Sequence, residues 1–136
     1  MHVYFSQAIE GLDRASVINN FQRVSGALER HGFRMSNREV YESFDYQVSL
    51  TPAEIVEMDL QLLSQSRFLL VDMTLPSRNY VGCVCEIVYA FQLRKPVVVF
   101  VGDTDNNNRL WLRYHAFAIT KNLDEAIEVL RNLSPE

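Results

Sequence analysis

Short runs of apolar residues alternate along the chain with longer segments in which apolar residues recur every three or four positions. The short runs predict five strands, at His2–Ser6, Phe33–Met35, Arg67–Val71, Pro96–Val101 and Ala116–Thr120. A strand without polar alternation is typical of a parallel sheet that helices cover on both faces. The pattern therefore predicts an α/β protein.

The segments between the strands carry helical start and stop signals. Asp13 can cap a first helix that runs to about Arg30, and Gly32 then acts as a stop signal. At 51–54, Thr-Pro-Ala-Glu is a capping box with proline at the first helical position, and its helix ends near Ser66. Three further helices are predicted at Gly82–Arg94, Arg109–His115 and Leu123–Leu133, and three loops at 36–50, 75–81 and 102–108.

Five strand–helix units of this length predict one domain, 1–136, with a doubly wound, flavodoxin-like fold. The expected parallel sheet has strand order 2-1-3-4-5, with helices on both faces. Its order reverses direction between strands 1 and 3, and ligands bind at the carboxyl ends of strands at such a switch point. We therefore expect the site in the loops at 6–11 and 72–82.

Composition narrows the classes of partner. Thirteen basic and seventeen acidic residues give a net charge of −4, which argues against binding of a nucleic-acid polymer. No run approaches the roughly 20 apolar residues of a membrane span, and no signal peptide is evident, so a cytoplasmic protein is expected. Cys83 and Cys85 are predicted to be small buried thiols, because their spacing suits neither a disulfide nor a zinc site.

Two carboxylates lie at helical positions among apolar neighbours. Glu86 falls one turn into the helix after strand 3, close to the expected crevice, and burying a carboxylate without a partner is costly. A first-turn glutamate that complements the helix dipole is the alternative. Asp59 lies mid-helix, where a solvated helix face is the alternative.

Other candidates lie at the carboxyl edge of the sheet. Asp72 ends strand 3, as a functional carboxylate or as a loop-organising residue bonded to the backbone of Thr74. Tyr4 in strand 1 is a site residue or a core aromatic. Three arginines near the loops are each typical of surface charge: Arg78, Arg109 and Arg113. The histidines lack metal-ligand spacing and no dinucleotide or phosphate-loop motif occurs, so neither a metal nor a cofactor is predicted.

Several of these segments recur together in one family. They are Val3-Tyr4-Phe5-Ser6, Ile9-Glu10-Gly11, Asp59-Leu60, Leu63 to Thr74, Gly82-x-x-x-Glu86 and Lys95-Pro96-Val97. In this order, over nearly the whole chain, they resemble the nucleoside 2-deoxyribosyltransferase-like superfamily. That superfamily includes transferases that exchange bases on deoxyribose and N-hydrolases that cleave the base from a nucleoside 5′-monophosphate.

The resemblance implies roles for individual residues. Glu86 corresponds to the nucleophile or transition-state carboxylate, Asp59 to the helix aspartate that recognises and protonates the base, and Tyr4 to the tyrosine that positions the glutamate. Ser77 and the backbone near Gly82 correspond to the phosphate-binding loop. Further substrate contacts are expected from Ser6, Ile9, Gly11, Asp72, Arg78 and Arg113.

One departure keeps other functions open. The family often has Gly-x-Gly-Tyr-Glu, whereas this chain has Gly82-Cys-Val-Cys-Glu86, without the second glycine and the tyrosine. The expected activity is cofactor-independent hydrolysis of a nucleoside 5′-monophosphate, preferably a pyrimidine nucleotide, to free base and (deoxy)ribose 5-phosphate. The alternatives are a nucleoside 2-deoxyribosyltransferase and an inactive nucleotide-binding module. The resemblance also implies a homodimer, with candidate contacts at Val88, Tyr89, Phe91 and Phe44–Tyr46.

Overall fold

The computed structural model describes residues 1–43 and 50–135. The strands in these residues are β1 (His2–Ser6), β2 (Arg34–Met35), β3 (Phe68–Asp72), β4 (Val97–Phe100) and β5 (Ala118–Thr120). The helices are α1 (Arg14–Arg30), α2 (Arg38–Glu42), α3 (Pro52–Ser64), α4 (Val81–Gln92), α5 (Leu110–His115) and α6 (Leu123–Leu133). A 3₁₀ turn, Asn106–Asn108, precedes α5.

The strands form one parallel sheet in the order β2-β1-β3-β4-β5. This confirms the predicted doubly wound, flavodoxin-like α/β fold and its strand order. The strand order reverses direction between β1 and β3, where Ser6 is in register with Val71. The carboxyl ends of these two strands therefore frame the expected crevice.

Two apolar layers hold the helices on the sheet. One layer lies between the sheet and α1, α2 and α6, and the other lies between the sheet and α3, α4 and α5. Side chains alternate between these layers along β1, so that Phe5 enters the first layer and Tyr4 the second. The helical stripe of α1 is buried as its spacing predicts, at Val17, Phe21, Val24 and Leu28.

Helix starts and stops follow the local signals. Asp13 caps α1 by accepting from the Ser16 amide, and Gly32 adopts a left-handed φ of 83° just after the helix. At the start of α3, Thr51 and Glu54 form the predicted capping box. These caps satisfy amides that a helix terminus leaves without a partner.

Two predictions need correction. The segment 36–50 is not wholly a loop, because it contains α2, which is held by buried Tyr41; residues 44–49, including the predicted contact Phe44–Tyr46, lie outside the described part. Cys83 is buried as predicted, but Cys85 is exposed, because it projects from α4 away from the core. None of the helices in the described ranges is long and apolar enough to cross a membrane.

Candidate active site

Glu86 receives two hydroxyl hydrogen bonds from β1. Tyr4 Oη donates to Glu86 Oε2, and Ser6 Oγ donates to Glu86 Oε1 at 2.7 Å. The two donors are alternate residues of one strand, so their side chains point to the same face of the sheet. The arrangement fixes both oxygens of the carboxyl group at the predicted switch point.

Burial sets the charge state of this carboxyl group. The pKa of Glu86 is raised from 4.5 to about 7, mainly by desolvation and to a lesser extent by the charge of Asp59, against the lowering effect of the hydrogen bonds from Tyr4 and Ser6. Burial and the charge of Glu86 also raise the pKa of Tyr4 well above 10, so that the phenol keeps its proton. Near neutral pH, Glu86 is therefore available in both protonation states.

Asp59 on α3 is the second desolvated carboxyl group. Its Oδ1 atom is buried and accepts no hydrogen bond from any described residue. Burial raises the pKa of Asp59 from 3.8 to about 6. A buried acceptor without a partner is costly in a folded protein. A ligand that forms a hydrogen bond with this oxygen would remove that cost.

Both carboxylate oxygens of Asp72 accept hydrogen bonds from the protein. Oδ1 accepts from the Thr74 amide at 2.9 Å and from the Thr74 hydroxyl at 2.7 Å. Oδ2 accepts from Asn20 Nδ2 at 2.7 Å, and the same nitrogen donates to Gln7 Oε1 at 2.9 Å. This geometry favours the loop-organising interpretation of Asp72 over direct substrate contact.

Arg78 joins the loops that follow β1 and β3. Its Nη2 atom donates to the Glu10 carbonyl, and a Cβ added at Gly11, which has a left-handed φ of 78°, would lie 3.8 Å from that nitrogen. Arg109 Nη2 in turn donates to the Arg78 carbonyl at 2.8 Å. The guanidinium group of Arg78 thus lies at the mouth between the two loops.

For the remaining predicted site residues, the structure gives exposure, backbone conformation and packing. Ser77 is exposed with a left-handed φ of 59°, and a Cβ at Gly82 would meet no atom within 4 Å, which leaves open space at the start of α4. Ile9 packs against the α1 layer. Arg113 is exposed on α5. No group of three or more metal-ligating side chains occurs in the described ranges.

Comparisons with known proteins give relatives of one kind. No family model matches the chain. It is 29% identical to a protein of Thermofilum pendens named as a 2′-deoxynucleoside 5′-phosphate N-hydrolase, with 99% of this chain and 96% of the relative covered. The structure is similar to Clostridium botulinum CMP N-glycosidase BcmB, with a TM-score of 0.64, 12% identity, and coverage of 98% of this chain and 100% of that one. It is also similar to a 2-deoxyribosyltransferase of Bacillus psychrosaccharolyticus, with a TM-score of 0.66, 12% identity, and coverage of 92% and 89%.

These relatives agree with the resemblance to the nucleoside 2-deoxyribosyltransferase-like superfamily. The resemblance drawn from its motifs is thereby confirmed.

Three further polar residues form hydrogen bonds near the site, and none of them is among the predicted site residues. Tyr80 is the N-cap residue of α4, with a left-handed φ of 55°. Its hydroxyl accepts from the Leu75 amide at 2.8 Å and donates to the Leu75 carbonyl at 3.2 Å. Asn20 links Asp72 to the loop after β1. Asn37 is buried against β1. Polar residues within predicted helices and loops give no sequence signal of such long-range bonds.

Proposed function

We propose that the protein is an N-glycosidase that hydrolyses a nucleoside 5′-monophosphate to free base and (deoxy)ribose 5-phosphate. The observation that carries the proposal is the pair of desolvated carboxyl groups, Glu86 and Asp59, at the switch point of the sheet. The names of the relatives, an N-hydrolase and a CMP N-glycosidase, support the same reaction class. A preference for pyrimidine nucleotides rests on the resemblance alone.

In the proposed mechanism Glu86 acts at C1′ of the sugar. Cleavage of an N-glycosidic bond develops oxocarbenium-like positive charge, which a carboxylate can stabilise or trap covalently. Glu86 acts as the nucleophile, and the hydroxyls of Tyr4 and Ser6 hold its oxygens in place. Water then attacks C1′, gives a proton to the Asp59 carboxylate and displaces Glu86, which breaks the Glu86–C1′ bond and releases the sugar phosphate.

Asp59 protonates the leaving base. Its pKa of about 6 leaves a useful fraction of the acid form near neutral pH, as a general acid requires. Its unpartnered Oδ1 supports a role toward a ligand. The carboxyl group gains a partner when the base arrives.

The 5′-phosphate is assigned to the mouth beside α4. Ser77, Arg78 and the amides around Gly82 supply a hydroxyl, a positive charge and helix N-terminal donors. Tyr80 makes no side-chain cap at this terminus, and space is open above Gly82. Anions are stabilised at such a terminus by both the free amides and the helix dipole.

One assay tests the proposal. The protein and Glu86→Gln are incubated with ribo- and deoxyribonucleosides and their 5′-monophosphates, with and without a second free base, and products are separated by chromatography. Release of base from monophosphates by the natural protein, reduced at least 100-fold in Glu86→Gln, is expected. Base exchange without net hydrolysis would instead identify a transferase, and binding without any product would identify a nucleotide-binding module. Equal turnover by Glu86→Gln would refute the mechanism.

A homodimer is proposed through an apolar surface on α4 and α5. Leu110, Trp111 and Tyr114 are 77%, 76% and 71% exposed, and Phe91 of α4 contacts Tyr114 with ring centroids 5.4 Å apart. Exposed apolar patches of this kind mark association surfaces. Among the contacts expected from sequence, Tyr89 and Phe91 are partly exposed here and Val88 is half-buried.

This surface adjoins the proposed phosphate site, since Arg109 at the start of α5 bonds to the Arg78 carbonyl. Analytical ultracentrifugation should find a dimer that Trp111→Glu converts to monomer. Val56→Glu, at a 51% exposed position on α3, is the matched control and should remain dimeric. A monomeric natural protein, or a dimer that Trp111→Glu leaves intact, would exclude this interface.

A further inference from the structure

The peptide of Phe5 lies between the two residues that hold Glu86. Tyr4 and Ser6 both donate to the Glu86 carboxyl group, and Phe5 separates them along β1. A shift or rotation of this one peptide would displace both donors together. Its hydrogen bonds therefore matter to the proposed nucleophile.

The β2 side of β1 runs out of backbone partners just before Phe5. β1 pairs with β2 only at His2 and Val3, and the Ser36 amide still donates to the Val3 carbonyl at 2.9 Å. Because backbone groups alternate in direction along a strand, the amide and carbonyl of Phe5 also face this side. Buried and without strand partners, they would be costly.

Side chains from the segment after β2 take the place of the missing strand. Asn37 Oδ1 accepts from the Phe5 amide at 3.0 Å, and Asn37 Nδ2 donates to the Phe5 carbonyl at 2.7 Å. The Tyr41 hydroxyl donates to the same carbonyl at 3.1 Å. Asn37 and Tyr41 are each 2% exposed, so water does not compete for these bonds.

Asn37 forms these bonds in place of a local one. It stands at the N-cap of α2, a position where asparagine commonly caps the helix, yet its side chain makes no cap hydrogen bond. Its side-chain amide has the donor and acceptor of a peptide, and both form hydrogen bonds with β1 instead. The Asn37 side chain therefore does not cap its own helix, α2.

We infer that Asn37 is a positioning residue for the reaction, which acts by fixing the Phe5 peptide and through it the Tyr4 and Ser6 donors to Glu86. Asn37 touches neither the substrate nor the carboxyl group. The inference rests on the proposed function for its catalytic consequence, while its structural consequence at Glu86 can be measured without any substrate.

Two readouts separate positioning from general stability. In Asn37→Ala, kcat should fall 10- to 100-fold with KM changed less than about twofold, because small misplacements of reacting groups cost about this much. In a ¹³C NMR titration, the Glu86 carboxyl should show a higher pKa, because two aligned hydroxyl donors stabilise its ionised form. Ile127→Ala, a buried change on α6 in the same apolar layer, is the matched control and should alter neither readout.

The outcomes distinguish failure of this inference from failure of the proposed function. A folded Asn37→Ala with normal kcat and normal Glu86 pKa overturns the inference. If the natural protein releases no base, the proposed function fails, and the titration alone still decides whether Asn37 positions Glu86. If Asn37→Ala does not fold, Asn37→Asp and Tyr41→Phe, which each remove one bond to the Phe5 carbonyl, are measured in its place. Normal values in both variants overturn the inference equally.

Discussion

Replacement of Glu86 by glutamine should stabilise the protein at neutral and alkaline pH. Burial raises the pKa of this carboxyl group from 4.5 to about 7, so the folded state holds the proton more tightly than the unfolded chain. Such a group makes the folded state lose stability as the pH rises from about 4.5 to about 7, and the loss persists above that pH. Glutamine has nearly the same shape and does not ionise, so Glu86→Gln removes this loss.

The size of the effect follows from the two pKa values. At 1.36 kcal/mol per unit of pKa, a rise from 4.5 to about 7 corresponds to ~3 kcal/mol at pH 8. For a domain of this length, that difference is roughly 10 °C in Tm. Below pH 4.5 both forms are uncharged, and the stabilities of the two proteins should converge.

Urea denaturation followed by circular dichroism between pH 4.5 and 8 measures this difference directly. Glu57→Gln, an exposed position on the same helix as Asp59, is the control and should show no pH-dependent difference. A stability difference for Glu86→Gln that does not grow with pH, or a less stable variant at pH 8, would show that desolvation does not govern this carboxyl group.

Three other predictions concern the same crevice. If Glu86 must be ionised and Asp59 protonated, kcat/KM for base release should peak between pH 6 and 7. Asp59→Asn should lower this activity and remove its decline above pH 7. A natural protein whose activity stays level to pH 9 would exclude the role of Asp59 as the acid. Ser6→Ala deletes a donor 2.7 Å from the carboxyl group and should raise the pKa of Glu86 by about one unit in a ¹³C NMR titration; an unchanged titration would contradict the geometry. Asp72→Asn should destabilise the fold by about 2 kcal/mol in urea denaturation, because the side-chain nitrogen of the new asparagine must then face a hydrogen-bond donor such as Asn20. Unchanged stability would instead favour a ligand-binding role for Asp72.

The sequence predicts the sheet because its strands are apolar on both faces. β3 is buried at all five positions and β4 at all four, so no alternation is needed to recognise them. α2 escapes detection for a physical reason. It spans five residues and buries only Tyr41, which is too short for a helical period to show.

The candidate site is likewise predictable from the sequence only in part. Alternation along β1 already places Tyr4 and Ser6 on one face of the sheet. Their common acceptor, Glu86, lies 82 and 80 residues further along the chain, and only the packing of α4 on β3, the neighbour of β1, brings it to them. The resemblance names Glu86 and Tyr4 and predicts a substrate contact for Ser6, and the structure adds the bond from Ser6 to the carboxyl group.

Desolvation connects the stability of this fold with the chemistry proposed for it. Glu86 and Asp59, with pKa values of about 7 and about 6, influence each other's charge, so their titration belongs to the pair. Between these values a large share of molecules holds one proton on the two groups together. In the reactive form Glu86 is ionised and Asp59 holds the proton, and this is the minor one-proton form because Glu86 has the higher pKa. Amides at both positions would remove the cost of burying charge at neutral pH, so the proposed reaction, and not the fold, accounts for the two desolvated carboxyl groups.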